Sequence, residues 1–333
     1  MKKFVYSAIA LSMATGVSYA NNGWTTLDQE ISGLSSSLTA QNAGGPKVGG
    51  WVITSVTSNS DNDELGFDLN EVRLHVTGDV SNDYSYKVSF DFDGGAATLK
   101  DAYIKWKLMD SINATMGQFY TPLLRSSTLD ETKLLFLQRT AIGQLFHTLG
   151  TDGRDQGLMV GGNFEMLNWG VAVQDGGDGN TDDLAITVNV SADVMGKGAG
   201  SVEGAYGAAE GTNLSVGGFY HTQDDVTGVG DVFGIEAYFT MGAIAVAANY
   251  ADLDTAGISP YDLTASYLFT EMYEAAVRYE DLDDADSTTV ISVGVNRYSA
   301  GHNLKWTAQY STVDSDDATL EADEISVGAT LAF

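Results

Sequence analysis

The basic side chains of this sequence sit among acids. On alternating segments, Arg73, Lys87, Lys105 and Lys107 share a face with Asp91, Asp93 and Asp101. Arg125, Lys133, Arg139 and Arg154 follow, in or beside a long segment that lacks strand alternation. Charges of both signs on one surface suit filtering and orientation of charged or dipolar solutes. They do not make a catalytic set: the sequence has no nucleophile elbow and no local Ser-His-Asp or paired-carboxylate signature. The expectation is that this is not an enzyme. His75, His147, His221 and His302 are scattered, with no pair at metal-ligand spacing. Cysteine is absent, which removes disulfides and thiolate chemistry. Asp175, Asp178 and Asp182 lie in a glycine-aspartate run that superficially resembles a calcium loop. The run is not an EF-hand and does not repeat, so solvated turn chemistry is the plainer reading. The three aspartates stay candidates for a divalent ion, one that could bridge to lipopolysaccharide. No other metal and no cofactor is expected.

Charge and the amino terminus limit where such a chain can work. It carries 45 Asp and Glu against 16 Lys and Arg, a formal net charge of −29, so nucleic acid is excluded as a partner. Residues 1–20 read as a secretory signal peptide: Lys2 and Lys3, an apolar stretch from Phe4 to Ala14, then Ser18-Tyr19-Ala20 as a small-x-small cleavage site. Residues 21–46 follow as a short helical region and linker. Trp24, Leu27, Ile31, Leu34 and Leu38 have the 3-4-3-4 spacing of a heptad stripe. A helix this short is marginal alone. It is read as a single amphipathic helix or as a small periplasmic coiled coil joining subunits.

From residue 47 to 333 the elements that would position the charges are strands. Ile325, Val327, Ala329, Leu331 and Phe333 alternate with small or polar residues. Tyr84, Tyr86, Val88, Phe90 and Phe92 do the same against Ser85, Lys87, Ser89, Asp91 and Asp93. Aromatics such as Trp51, Trp106, Trp169, Tyr250, Trp306 and Tyr310 gather near strand ends. Membrane barrels place aromatic girdles there, whereas a soluble sandwich has no reason to. Short turns alternate with longer acidic connections. About seventeen segments alternate, an odd number, although single-chain bacterial barrels have even strand counts. Counting directions from both ends demotes the Gly- and Ala-rich stretch Gly196 to Gly211 from strand to extended periplasmic connection. The fold class expected is therefore all-β: a sixteen-stranded antiparallel transmembrane barrel, wide enough for a water-filled lumen. The segment ending at Phe333 must pair with Val48 to Val56 to leave no free edge.

Between Phe119 and Arg154 the alternation stops. A structureless loop this long usually has a function. Asp130 to Phe146 is partly helical in pattern, with Leu134, Leu135, Leu137, Ile142, Leu145 and Phe146 apolar. Folding inward against the barrel wall would bury these residues and narrow the pore.

The motifs around this loop resemble those of a known family. Gly117-Gln118-Phe119-Tyr120-Thr121-Pro122 closes the fifth strand, Gln138-Arg139 lies within the loop, and Arg154-Asp155-Gln156-Gly157 opens the sixth strand. Upstream, Phe67 to Gly78, Asp83 to Phe92 and Leu99-Lys100-Asp101-Ala102-Tyr103 fit the same pattern. The chain resembles the phosphate-selective porin O and P family of Gram-negative outer membranes, most closely over residues 65 to 165. That resemblance implies a homotrimeric porin in the bacterial outer membrane, in contact with lipid and lipopolysaccharide, whose third outer loop folds into the lumen. In the family, anion selectivity rests on arginines lining the pore, with lysines nearer the outer mouth. Here acids are interleaved, the outer loops are strongly acidic, and the later strands carry only Arg278, Arg297 and Lys305. The function expected is passive diffusion of small hydrophilic solutes and ions, general or mildly cation-preferring. The alternatives are an anion- or phosphate-selective porin, or an adhesive surface protein with divalent-cation-binding loops. The constriction candidates are Arg73, Lys87, Asp91, Asp101, Lys105, Arg125, Lys133, Arg139 and Arg154.

Overall fold

The computed structural model describes residues 45–59, 64–147, 152–176, 184–223, 230–254 and 256–333. The expected signal peptide and heptad helix lie outside the described residues, as do Asp178 and Asp182. From Lys47 onward the chain forms a single closed sheet in which every strand pairs with its sequence neighbours. Its sixteen strands are β1 (Lys47–Asn59), β2 (Glu64–Asp79), β3 (Tyr84–Asp91), β4 (Thr98–Met109), β5 (Ile112–Tyr120), β6 (Arg154–Phe164), β7 (Leu167–Gln174) and β8 (Ala185–Met195), then β9 (Thr212–Thr222), β10 (Val232–Met241), β11 (Ile244–Leu253), β12 (Tyr261–Thr270), β13 (Tyr273–Asp281), β14 (Thr289–Tyr298), β15 (Leu304–Asp314) and β16 (Ala322–Ala332).

Closure occurs where the alternation at the carboxy terminus requires it. β1 pairs antiparallel with β16 from Trp51 opposite Ala332 to Asn59 opposite Glu324. Beyond the last pair, the amide of Phe333 donates to the Gly50 carbonyl (3.0 Å) and that of Gly50 to the Phe333 carbonyl (3.1 Å). No edge is left, so the ladder groups are satisfied within the sheet, as a lipid environment demands.

Burial in this fold is inverted relative to a soluble protein. Outward positions expose large apolar side chains, among them Ile104, Met116, Leu263 and Val327. Inward positions bury polar ones, including Ser89, Glu274, Asn296 and Ser326, each fully shielded. Tyr84 stacks on Trp106 near one rim, ring centroids 5.7 Å apart. Trp51 corrects one expectation. It is buried rather than part of a girdle, its ring lying 5.8 Å from His75 and under the Arg73 guanidinium at 5.2 Å. Near strand ends a period of two places Trp51 on a face without saying which face is wet.

Among the described residues, two connections are more than turns, and antiparallel order brings them from opposite ends. The β5–β6 connection holds α1 (Arg125–Thr128), a 3-10 turn at Glu131–Lys133 and α2 (Ala141–Phe146). The helical pattern over Asp130 to Phe146 is thus realised as separate short turns. The β8–β9 connection, spanning 196–211, contains no strand, as the parity of strand directions requires. It is nonetheless not a plain external link, because Val202, Glu203 and Ala205 are buried.

Candidate functional site

The motif at the end of β5 is built on a close approach. Gly117 has φ +126°, and a Cβ there would sit 2.2 Å from the Ala102 carbonyl oxygen. Only glycine lets β4 and β5 pair this tightly at that angle. The next residue, Gln118, donates through Nε2 to the carbonyls of Leu99 (3.0 Å) and Lys100 (2.7 Å). This fixes the start of β4 and hence Asp101. Across the connection, Asp152 takes φ +56° and Gly153 φ +73°. Aspartate tolerates that left-handed conformation better than most residues. The turn delivers the Asp152 carboxylate and then Arg154 to the same wall.

That wall is a network of ion pairs. Arg73 Nη2 lies 2.6 Å from Glu71 and 3.0 Å from Asp91. Lys87 Nζ is 2.9 Å from Asp101, whose other oxygen receives Arg154 Nε at 3.1 Å. Asp152 is the common partner: Oδ2 meets Lys100 and Arg154, both at 3.1 Å, and Arg73 at 3.6 Å, while Oδ1 meets His147 at 2.8 Å. Burial pushes the Asp152 carboxyl up, but His147, Lys100 and Arg154 outweigh it and hold it well below the usual carboxylate range. Arg154 also lies flat over Tyr120, 3.6 Å from its centroid.

The β5–β6 connection reaches the opposite wall. Its Leu137 amide donates to Gln309 Oε1 (2.8 Å), and its Leu135 carbonyl accepts from Asn296 Nδ2 (2.7 Å). Arg278 Nη1 donates to the Gln138 carbonyl (3.1 Å), and Lys305 Nζ to the Leu134 carbonyl. Leu123, Leu124, Ile142 and Phe146 pack on Phe219, Val232, Ala251 and Leu253 of β9 to β11. Each fully buried side chain of this size contributes about 1.5–3 kcal/mol, which offsets the entropy of ordering the segment. Within the connection, Arg139 donates through Nη1 to the Ser126 carbonyl (3.0 Å) and pairs with Glu131 (2.5 Å). Burial would raise the Glu131 carboxyl, but Arg139 and Arg73 more than reverse this and hold it low.

Space remains on both sides of the connection. A cavity of about 290 Å³ lies between it and the β1–β4 wall. Its charged lining comprises carboxylates at Glu71, Asp91, Asp93, Glu131 and Asp152 against cations at Arg73, Lys100 and Arg139, with His147 beside them. Five acidic side chains thus face three basic ones and a histidine. A second cavity of about 310 Å³ lies on the other side, bordered by Arg125, Asp193, Lys197, Glu203 and Glu236. A third of about 290 Å³ is lined by Lys105 with amides from Asn113, Asn163, Asn168 and Asn189.

The structure thus distributes the residues expected at a constriction. Arg73, Lys87, Asp91, Asp101 and Arg154 converge in the wall network, and Arg139 joins the cavity facing it. Arg125 is across the lumen, donating to the carbonyls of Ala199, Gly200 and Val202 and stacking 4.2 Å over Tyr238. Lys105 is exposed to the third cavity. Lys133 is half-buried, and burial lowers its ammonium despite Asp130. Sequence reasoning misses Asp152, Lys100, Glu203 and Glu236. For Asp152 the Asp-Gly pair just before β6 is an available signal. For Glu203 only a lone acid in a Gly- and Ala-rich run marks the place. Among the described residues, no group of three or more His, Cys, Asp or Glu side chains is placed to hold a metal ion.

Comparison with known proteins agrees with this architecture. The family model for phosphate-selective porin O and P matches residues 54–258. A search of curated proteins finds no match. Among solved structures, the trimer form of in-vitro folded OmpT, an outer membrane protein of Vibrio cholerae, superposes with a TM-score of 0.62 at 12% identity, covering 87% of this chain and 99% of that one. Its loop L8 deletion mutant gives 0.60 at 14% identity, over 87% and 100%. A mutant of Rh. blastica porin gives 0.59 at 15% identity, over 86% and 100%. At these identities the likeness concerns the fold.

Proposed function

Because this chain belongs to the phosphate-selective porin O and P family and forms an outer-membrane porin barrel, we propose that it passes small hydrophilic solutes and ions by diffusion, without marked anion selectivity and with a mild cation preference. The β5–β6 connection is the constriction, acting as an inward-folded third outer loop. The observation that carries this reading is the cavity beside Arg73, where carboxylates outnumber the cations they pair with. Cations neutralised at contact distance leave little positive field for a passing phosphate. The acidic runs around Asp281 to Asp286 and Asp314 to Glu324 lie at the same end as the β5–β6 connection, where they concentrate cations in an ionic-strength-dependent way. No chemical step and no cofactor enters this mechanism. The apolar outer face meets lipid and lipopolysaccharide, and the subunit assembles as a homotrimer, as the trimeric neighbour suggests.

The reversal potential of single channels in a salt gradient tests this. It is expected near zero or on the cation side, and neutralising Lys105 should move it a little further that way. A strong anion preference would overturn the reading in favour of the phosphate selectivity that the family's description carries. Absence of conductance steps would favour an adhesive surface role instead.

A further inference from the structure

Nothing in the family match or the sequence reading assigns a role to the β8–β9 connection beyond linking two strands. It leaves β8 at the end of the barrel opposite the β5–β6 connection, and five glycines at 196, 198, 200, 207 and 211 take positive φ. These let the segment fold back on itself. Its middle then meets the other connection. The Glu203 amide donates to the Lys133 carbonyl at 3.2 Å. Glu203 Oε2 accepts from the Leu135 amide at 2.5 Å, and Oε1 takes Arg278 Nη2 of β13 at 2.8 Å. One buried carboxylate therefore ties together both connections and the wall.

The neighbouring contacts fix the same placement. The Ala205 amide donates to Glu274 Oε1 (2.6 Å), and Tyr238 Oη to the Gly204 carbonyl (2.8 Å). Tyr206 stacks on Tyr298 with centroids 3.7 Å apart. Gly204 is needed for proximity: a Cβ would sit 2.5 Å from Glu274 Oε1 and 2.6 Å from Leu135 Cδ2. A turn that merely linked β8 to β9 would need none of this.

We propose that the β8–β9 connection is a second constriction element, with Glu203 as the positioning residue that latches it beneath the β5–β6 connection and offsets the charge of Arg278. Solutes then pass two narrowings entered from opposite ends. A cavity bordered by Asp193, Lys197 and Glu236 remains beside it. This rests on the channel reading above.

Planar-bilayer recording of the full-length protein tests it against a variant whose residues 199–208 are replaced by Gly-Gly. The single-channel step should grow about two-fold or more as the cross-section widens. Glu203→Gln keeps an acceptor for Leu135 but removes the charge, so the reversal potential should move toward anions; Glu203→Asp should restore it. A shortened variant that keeps the heat-modifiable mobility of a folded barrel yet conducts like the wild type, with Glu203→Gln also unmoved, overturns the proposal. If the shortened variant does not fold, Gly204→Ala takes its place with the same two outcomes for the conductance step. A wild type without conductance steps removes the channel reading and this one together. A stepping wild type with unmoved variants removes only the second constriction.

Discussion

The two connections that meet at Glu203 are held in different ways. The β5–β6 connection is anchored by charge: Asp152 gathers Lys100, Arg154, Arg73 and His147 at its root, and Arg139 holds Glu131 within it. The β8–β9 connection has the Glu203–Arg278 ion pair but is otherwise anchored by its backbone. The Arg125 guanidinium donates to its carbonyls, Tyr238 to another, and Glu274 accepts one of its amides. Buried ion pairs leave an uncompensated charge when one partner goes, whereas a carbonyl that loses a donor beside a water-filled cavity can be hydrated. The first anchor is therefore brittle, and the second is forgiving except at Glu203.

The largest effect that would break this contrast is expected at Arg154. Arg154→Ala takes one cation from Asp101 and Asp152, which keep Lys87 and Lys100 as partners, and should cost about 3 kcal/mol, read as a shift of the denaturant midpoint of the reconstituted protein. Arg125→Ala removes hydrogen bonds to carbonyls and a stacking contact, and should cost only about 1–2 kcal/mol in the same assay. If the two substitutions cost the same, the distinction between the anchors is wrong.

The smallest effect concerns His302, which like Arg278 touches both connections. His302 has Nδ1 3.3 Å from the Thr132 carbonyl and Nε2 3.2 Å from the Tyr206 carbonyl. Burial, with Lys133 and Lys305 nearby, pushes its pKa down to about 4. A group depressed in the folded state binds fewer protons there than when released, so its contribution is complete above the ordinary histidine range and declines as pH falls toward 4. Channel flicker should rise over that interval, and His302→Gln should flatten the dependence. A wild-type trace with no pH dependence there would show that His302 does not brace the junction.

Much of this molecule is legible in its sequence. The run from Ile325 to Phe333 announces a closing strand, and the directions of the flanking segments exclude a strand over Gly196 to Gly211. The Gly117 motif and the long unalternating stretch mark the β5–β6 connection. Trp51 misleads because its position near a strand end fits a girdle as well as a lumen-facing ring over Arg73. Asp152 escapes notice because its neighbours in space, Lys100 and Arg73, are remote in sequence.

The division follows from the range of the forces. Alternation is local: each side chain's face is fixed by its neighbour, so strand number, barrel closure and the polar interior can be written from the chain alone. Which charge answers which depends on the stagger of strands far apart in sequence and on two connections entering from opposite ends. Glu203 shows this most plainly. In the sequence it is a single acid among glycines and alanines. Only when β13 brings Arg278 and the β5–β6 connection brings the Leu135 amide does it become the tie between the two connections and the wall.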